Sequence, residues 1–241
     1  MRRILIVFYG VVAYVVFLVS FLYAIGFVGN LVVPKSIDSG MAGSLTSSIL
    51  INILLLSLFA VQHSVMARPA FKRAWTKLIP ESIERSTYVL LSSLILLLLY
   101  WKWVPMTGVV WDLSGGLLGT VLTVVFGIGW LTVLLSTFMI SHFELFGLRQ
   151  VLAKLGESEL PKAVLSEKGL YRYVRHPIML GFIIAFWATP TMSVGHLLFA
   201  GVTTAYILVA VRIEEGDLVA YFGDTYTNYR ERVGMIIPSR R

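Results

Sequence analysis

The chain is predicted to be all-α, a polytopic integral membrane bundle of five to six spans that ends in a short helical hairpin. Three observations carry that reading. Of its 241 residues, 57% are hydrophobic and only 14% are charged, against about 25% charged in an ordinary soluble domain. The mean hydropathy is +0.82. Apolar runs also recur at the roughly 20-residue length needed to cross about 30 Å of hydrocarbon.

The first run, Ile4 to Val33, is left through Gly26, Gly29 and Pro34. It is uncharged and much longer than a signal-peptide core, so no cleavable signal is expected. Leu45 to Ala67 is the second run, interrupted only by Asn52, Gln62 and His63. Thr87 to Val104 is the third, closed by Lys102 and Pro105, and Leu113 to Ile140 the fourth. Gly115 and Gly119 have the small-xxx-small spacing that lets helices approach closely. The last stretch, Ile178 to Val211, has 34 residues without a charge. Thr189-Pro-Thr-Met-Ser193 splits it into a hairpin whose arms are short, tilted or partly inserted.

Charge placement tests this count. With alternating spans, one side receives Arg2 and Arg3, the group from Arg68 to Arg85, the group from Arg149 through Lys162 to Arg175, and the group from Arg212 to Arg241. These are 18 of the 20 basic residues; Lys35 and Lys102 remain opposite. Both termini and the two long loops are therefore expected to face the cytoplasm. The net charge of +7 reads as basic membrane-proximal loops and not as a nucleic-acid surface. The absence of cysteine excludes disulfides, thiolate metal sites and cysteine nucleophiles. A single domain over 1–241 is expected, with spans in 1–141, a cytoplasmic loop in 142–177, the hairpin in 178–211 and a cytoplasmic tail in 212–241.

Candidate chemistry concentrates near the C-terminus. In Gly169-Leu-Tyr-Arg-Tyr-Val-Arg-His-Pro-Ile-Met-Leu-Gly181, Pro177 suits the first turn of a helix, where its missing N–H is no loss. Arg175 and His176 then stand beside exposed helix amides, a setting that favours anionic groups. The same residues also suit juxtamembrane anchoring. Glu214 and Glu215 follow the last apolar residue almost at once, and acidic groups there need a partner or water. One of them is expected to turn inward, either to hold a cationic group such as a sulfonium or to pair with Arg212 or Arg175. His63, near the end of the second run, reads as a packing residue or a base. His142 with Glu144 does not make a metal site, and no metal is expected. His196 reads as an interfacial residue. No Gly-rich dinucleotide motif follows a strand.

The order Gly-Leu-Tyr171, Arg-His-Pro177, apolar hairpin, Glu-Glu215, Phe-Gly223, Tyr226, Tyr229 and Ile237-Pro238 resembles the C-terminal signature of the isoprenylcysteine carboxyl methyltransferase superfamily. That group includes phospholipid methyltransferases and relatives of the nitrite-reductase-associated membrane protein family, and the resemblance covers Ala163 to Pro238. The runs Tyr23 to Asn30, Val33 to Gly40, Phe59 to Pro69 and His142 to Gln150 are further similar to the bacterial methanethiol S-methyltransferase family. The resemblance implies S-adenosylmethionine as methyl donor, a small volatile thiol as acceptor and a bacterial inner-membrane location. Carried over by position, it implies a cofactor pocket lined by Leu165, Tyr171, His176, Pro177, Ile178 and Met179, with Arg175 beside it and Glu214 meeting the cofactor's charged part. Ala210 stands where carboxyl methyltransferases carry an acceptor-orienting Arg, which fits a neutral thiol. A thiol needs a base, and His63, His142 and Tyr171 are the candidates. Another thiol, a lipid or a carboxylate as acceptor, and a non-enzymatic carrier or assembly factor, are the alternative readings.

Overall fold

The computed structural model describes residues 2–156 and 164–238. Lys162, Ala163, Arg240 and Arg241, named above, lie outside the described residues. Among the described residues, five helices are long and apolar enough to cross a membrane: α1 (Arg2–Gly29), α2 (Leu45–Ala67), α4 (Glu81–Lys102), α5 (Leu117–Ile140) and α9 (Val194–Phe222). The chain is thus a polytopic α-helical membrane protein. Shorter elements are α3 (Pro69–Trp75), β1 (Val109–Asp112), α6 (His142–Leu145), α7 (Leu148–Leu155), α8 (Pro177–Trp187), β2 (Thr191–Ser193) and α10 (Asp224–Arg232), with a 3-10 turn at Gly169–Arg172.

The chain divides into two compact units. The first comprises Met1–Met106 with Ser141–Lys162, the second Thr107–Ile140 with Ala163–Arg241. The stretch expected as one cytoplasmic loop is therefore shared, α6 and α7 belonging to the first unit and the 3-10 turn to the second.

In the first unit α1 packs along α4. Tyr23 stacks on Tyr100 with ring centroids 5.4 Å apart, and the Tyr9 hydroxyl donates to Thr87 at 2.9 Å. Asn52, the polar break in the second run, is fully buried. Its amide donates to the Val104 carbonyl at 2.8 Å and its oxygen accepts from the Val104 N–H at 2.9 Å. A buried amide is costly unless paired, and this one closes both backbone groups where the chain leaves α4. Lys35 and Lys102 also meet: Lys35 donates to the Trp101 carbonyl at 2.8 Å, and the Lys102 ammonium lies 3.8 Å from the Trp101 ring centroid.

In the second unit α5 and α8 pack backbone to backbone. A Cβ at Gly129 would lie 2.6 Å from the Ala185 nitrogen, and one at Gly181 would lie 2.7 Å from the Gly129 carbonyl oxygen. The expected close approach through Gly115 and Gly119 is corrected here. Gly115 precedes α5 and faces open space, while Gly119 is confined by the Leu113 carbonyl in the turn entering the helix. With lipid on the outside, helix association rests on such close van der Waals packing.

The hairpin is asymmetric. α8 has 11 residues, about 16 Å at 1.5 Å per residue, too short to cross alone. α9 has 29 residues and does not end with the apolar run; it continues through Glu214 and Glu215 to Phe222. The turn between them forms β2, which pairs antiparallel with β1. Trp111 adds a bond from its indole N–H to the Thr189 carbonyl at 3.2 Å. His196, expected at the interface, is fully buried and joins the arms, its Nε2 lying 2.9 Å from the Phe186 carbonyl oxygen.

Gly129→Ala is expected to destabilise the protein by about 1–3 kcal/mol, because the new methyl meets backbone that cannot rotate away. Gly127, two positions from Gly129 and with open space around it, should tolerate Ala and gain up to about 1 kcal/mol of helix propensity. Thermal unfolding in detergent compares the two.

Candidate active site

Arg175 and His176 are brought to the C-terminal segment by backbone pairing. The Arg175 N–H donates to the Gly234 carbonyl at 2.9 Å and the His176 N–H to the Met235 carbonyl at 3.2 Å. α8 starts at Pro177, with His176 as its N-cap residue. The stretch before it is fastened at several points. The Ser166 hydroxyl donates to the Met139 carbonyl at 3.1 Å, and the Tyr229 hydroxyl donates to the Tyr171 carbonyl at 2.6 Å. Gly169 has φ +56, and a Cβ there would lie 2.6 Å from the Met139 sulfur.

At the centre is Glu215, whose side chain is 7% exposed. Its Oε1 accepts from Arg175 Nε at 2.7 Å, from His176 Nε2 at 3.2 Å and from the Tyr226 hydroxyl at 3.3 Å. Arg175 Nη1 also donates to the Arg230 carbonyl at 3.1 Å and to the Val233 carbonyl. Arg230 Nε lies 3.6 Å from Glu215 Oε2. Two cations, an imidazole and a phenol thus surround one carboxylate, the pairing a buried charge requires.

Glu214, adjacent on the helix, is 48% exposed, with Oε2 4.0 Å from His176 Nδ1. The two carboxylates therefore divide the work: Glu215 holds the site together and Glu214 stands at its rim. Glu215 was not assigned to the pocket from sequence. A signal for it exists, because the buried stripe Ile207, Val211, Glu215 keeps four-residue spacing once the helix is continued past Arg212.

The other candidate residues fall as follows. Leu165 packs against Tyr226, Tyr229 and Val233. Pro177 is buried, while Ile178 and Met179 are half-buried on the first turn of α8. Tyr171 is buried, and its hydroxyl donates to the Ser136 carbonyl at 3.4 Å. Burial foremost, then the Glu214 charge, raises its phenol, so it is a donor at neutral pH. In the same unit the Glu214 carboxylate and the Arg230 guanidinium are half-exposed. An acid and a guanidinium so placed suit a ligand that carries both an ammonium and a carboxylate.

His63 and His142 lie in two separate clusters of the first unit. The Tyr88 hydroxyl is 2.8 Å from His63 Nε2, and the Ser92 hydroxyl is 3.3 Å from Nδ1. The Tyr14 hydroxyl is 2.8 Å from His142 Nε2. Burial lowers the pKa of His142, so its imidazole is neutral at pH 7 and able to take a proton.

Glu215→Gln is expected to cost about 3–5 kcal/mol, since it leaves Arg175 buried without its counter-charge. Glu214→Gln should stay within about 0.5 kcal/mol, as exposed substitutions do; thermal unfolding ranks them. A second prediction concerns alkaline pH. Burial first, then the Glu167 charge, pushes the Tyr229 phenol up from 10.0 to about 12. A raised folded value gives stability that is fully present below pH 10 and lost as pH rises through 12. Tyr229→Phe should therefore flatten the fall in stability between pH 10 and 12, and remove about 1 kcal/mol at neutral pH with its hydrogen bond.

The sequence pattern of the NnrU protein family matches residues 51–213. Methanethiol S-methyltransferase 2 of Bradyrhizobium diazoefficiens is 57% identical over 236 residues, covering 98% of this chain and 91% of that protein. Methanethiol S-methyltransferase of Mycobacterium tuberculosis is 55% identical, covering 99% of this chain and 98% of that protein. The protein of the same name from Crocosphaera subtropica is 49% identical, covering 99% and 93%. No solved structure matches the chain. Similarity of this extent leads to one conclusion: the chain belongs to the NnrU protein family and is homologous over nearly its whole length to proteins named methanethiol S-methyltransferase.

Proposed function

We propose that this chain is a membrane enzyme that methylates methanethiol to dimethyl sulfide with S-adenosylmethionine as donor. The observation that carries the reading is near-full-length similarity, at up to 57% identity, to proteins named for that activity. The Glu215 constellation supports it from the chemistry, because it leaves a half-exposed acid, Glu214, and a half-exposed guanidinium, Arg230. A bacterial inner-membrane setting, with termini and site on the cytoplasmic side, is supported by the 18 of 20 basic residues assigned to one face.

S-adenosylmethionine, when bound, supplies an electrophilic methyl group on a sulfonium. Glu214 provides the negative charge for its cationic part, and Leu165, Tyr171, His176, Pro177, Ile178 and Met179 provide the wall. The acceptor must lose its proton, because a thiolate is a far better nucleophile than a thiol. Tyr171 keeps its own proton at neutral pH, which counts against it as the base; His63 and His142 are the other candidates. The methanethiol sulfur, as thiolate, takes the methyl and becomes dimethyl sulfide, while the donor sulfur keeps the bonding pair as a neutral thioether. Opposite charges are cancelled in that step, so a water-poor pocket favours it.

Membranes containing the protein, supplied with S-adenosylmethionine and methanethiol, are expected to release dimethyl sulfide detectable by headspace gas chromatography. Glu214→Ala and His176→Ala should each lower the rate at least tenfold in folded protein. Protein that binds S-adenosylhomocysteine yet forms no dimethyl sulfide would move the reading to another acceptor. Full activity after replacing His63, His142 and Tyr171 together would remove all three as the base.

A further inference from the structure

Three arginines converge on the C-terminal site, and they are not equivalent. Arg175 is buried against Glu215 and two carbonyls. Arg232 meets both oxygens of Glu167, at 3.1 and 3.3 Å. Arg230 stands apart. Its Nε is 3.6 Å from Glu215 Oε2, and its side chain is 45% exposed. That separation is too long for a hydrogen bond.

Glu215 Oε1 already takes three donors, from Arg175, His176 and Tyr226, and Arg230 faces only Oε2, through Nε alone. The backbone of Arg230 is nevertheless fixed, its carbonyl accepting from Arg175 at 3.1 Å. A guanidinium anchored at its root, loosely engaged at Nε and open to solvent keeps a donor edge for a second carboxylate. Such an edge grips a carboxylate with two parallel N–H bonds.

Charge balance names the carboxylate. Glu214 and Arg230 are the half-exposed acid and base of the constellation, 48% and 45% exposed. Both reach the same central pair, Glu214 through His176 and Arg230 through Glu215. A ligand completing both would present an ammonium and a carboxylate on one carbon, as an α-amino acid does. We propose that Arg230 binds the α-carboxylate of S-adenosylmethionine and of its product S-adenosylhomocysteine; this rests on the methyltransferase reading above. Arg232, spent on Glu167, does not share the role.

The test is isothermal titration of the full chain in detergent with two ligands, S-adenosylhomocysteine and its decarboxylated analogue, which keeps the ammonium, thioether and nucleoside. Wild type is expected to bind the first about 10–100-fold more tightly, the scale of hydrogen bonds to charged groups. Arg230→Gln should lower affinity for S-adenosylhomocysteine to that of the analogue and leave the analogue within about twofold. Arg230→Lys should recover part of the gap, because an ammonium supplies charge without the fork. Arg232→Gln should keep the full gap, and thermal unfolding should show Arg230→Gln folded. Equal affinities in wild type, or an undiminished gap in Arg230→Gln, would overturn the assignment. Wild type that binds neither ligand would instead overturn the methyltransferase reading on which it stands.

Discussion

One buried carboxylate organises the second unit. Glu215 sits on a helix that is otherwise apolar for most of its length, where an unpaired charge is among the costliest features a membrane protein can carry. Its neutralisation demands Arg175 and His176 from one stretch of chain and Tyr226 from another. Meeting that demand draws the segment before α8 against the C-terminal segment, and backbone pairing from Arg175 to Gly234 and His176 to Met235 completes the fit. Breaking such a pair costs far more than the pair itself contributes, because the remaining charge stays desolvated. The cluster is therefore best understood as a constraint that selects one arrangement of these segments.

The same economy governs the polar groups elsewhere. Asn52 interrupts an apolar span, and both ends of its amide are used by the Val104 backbone. His63, with Tyr88 and Ser92, and His142, with Tyr14, keep their ring nitrogens within hydrogen-bond distance of hydroxyls. Between helices, where burial from water gives no advantage over lipid, contact is gained through size. Gly129 and Gly181 let α5 and α8 approach until backbone meets backbone.

The functional consequence is a division between neighbours. Glu214 and Glu215 differ by one position, about 100° around a helix of 3.6 residues per turn. That rotation turns Glu215 onto the stripe of Ile207 and Val211 and leaves Glu214 at the rim. Glu215 takes Arg175, His176 and Tyr226 on one oxygen, whereas its neighbour Glu214 is half-exposed. Arg175 and Arg230 repeat the pattern on the basic side, one enclosed and one open.

The sequence alone determined the class, the first four long spans, the start of α8 at Pro177 and the grouping of Lys35 with Lys102. These follow from the length of apolar runs and from the cost of charge in lipid, which act locally and leave their mark in composition. It also brought forward the Arg-His-Pro and Glu-Glu segments as partners, and through the resemblance it pointed to the family. Tertiary structure decided the rest. It chose Glu215 over Glu214 as the inward carboxylate, Gly129 with Gly181 over Gly115 with Gly119 as the helix contact, and β1 with β2 as the seam at the hairpin turn. It also carried α9 through Arg212, where the apolar run stops but the backbone hydrogen bonding does not. For the carboxylates and the glycines the competing residues have the same chemistry. Only the packing of distant segments distinguishes them, because that packing fixes the rotation of a helix about its axis.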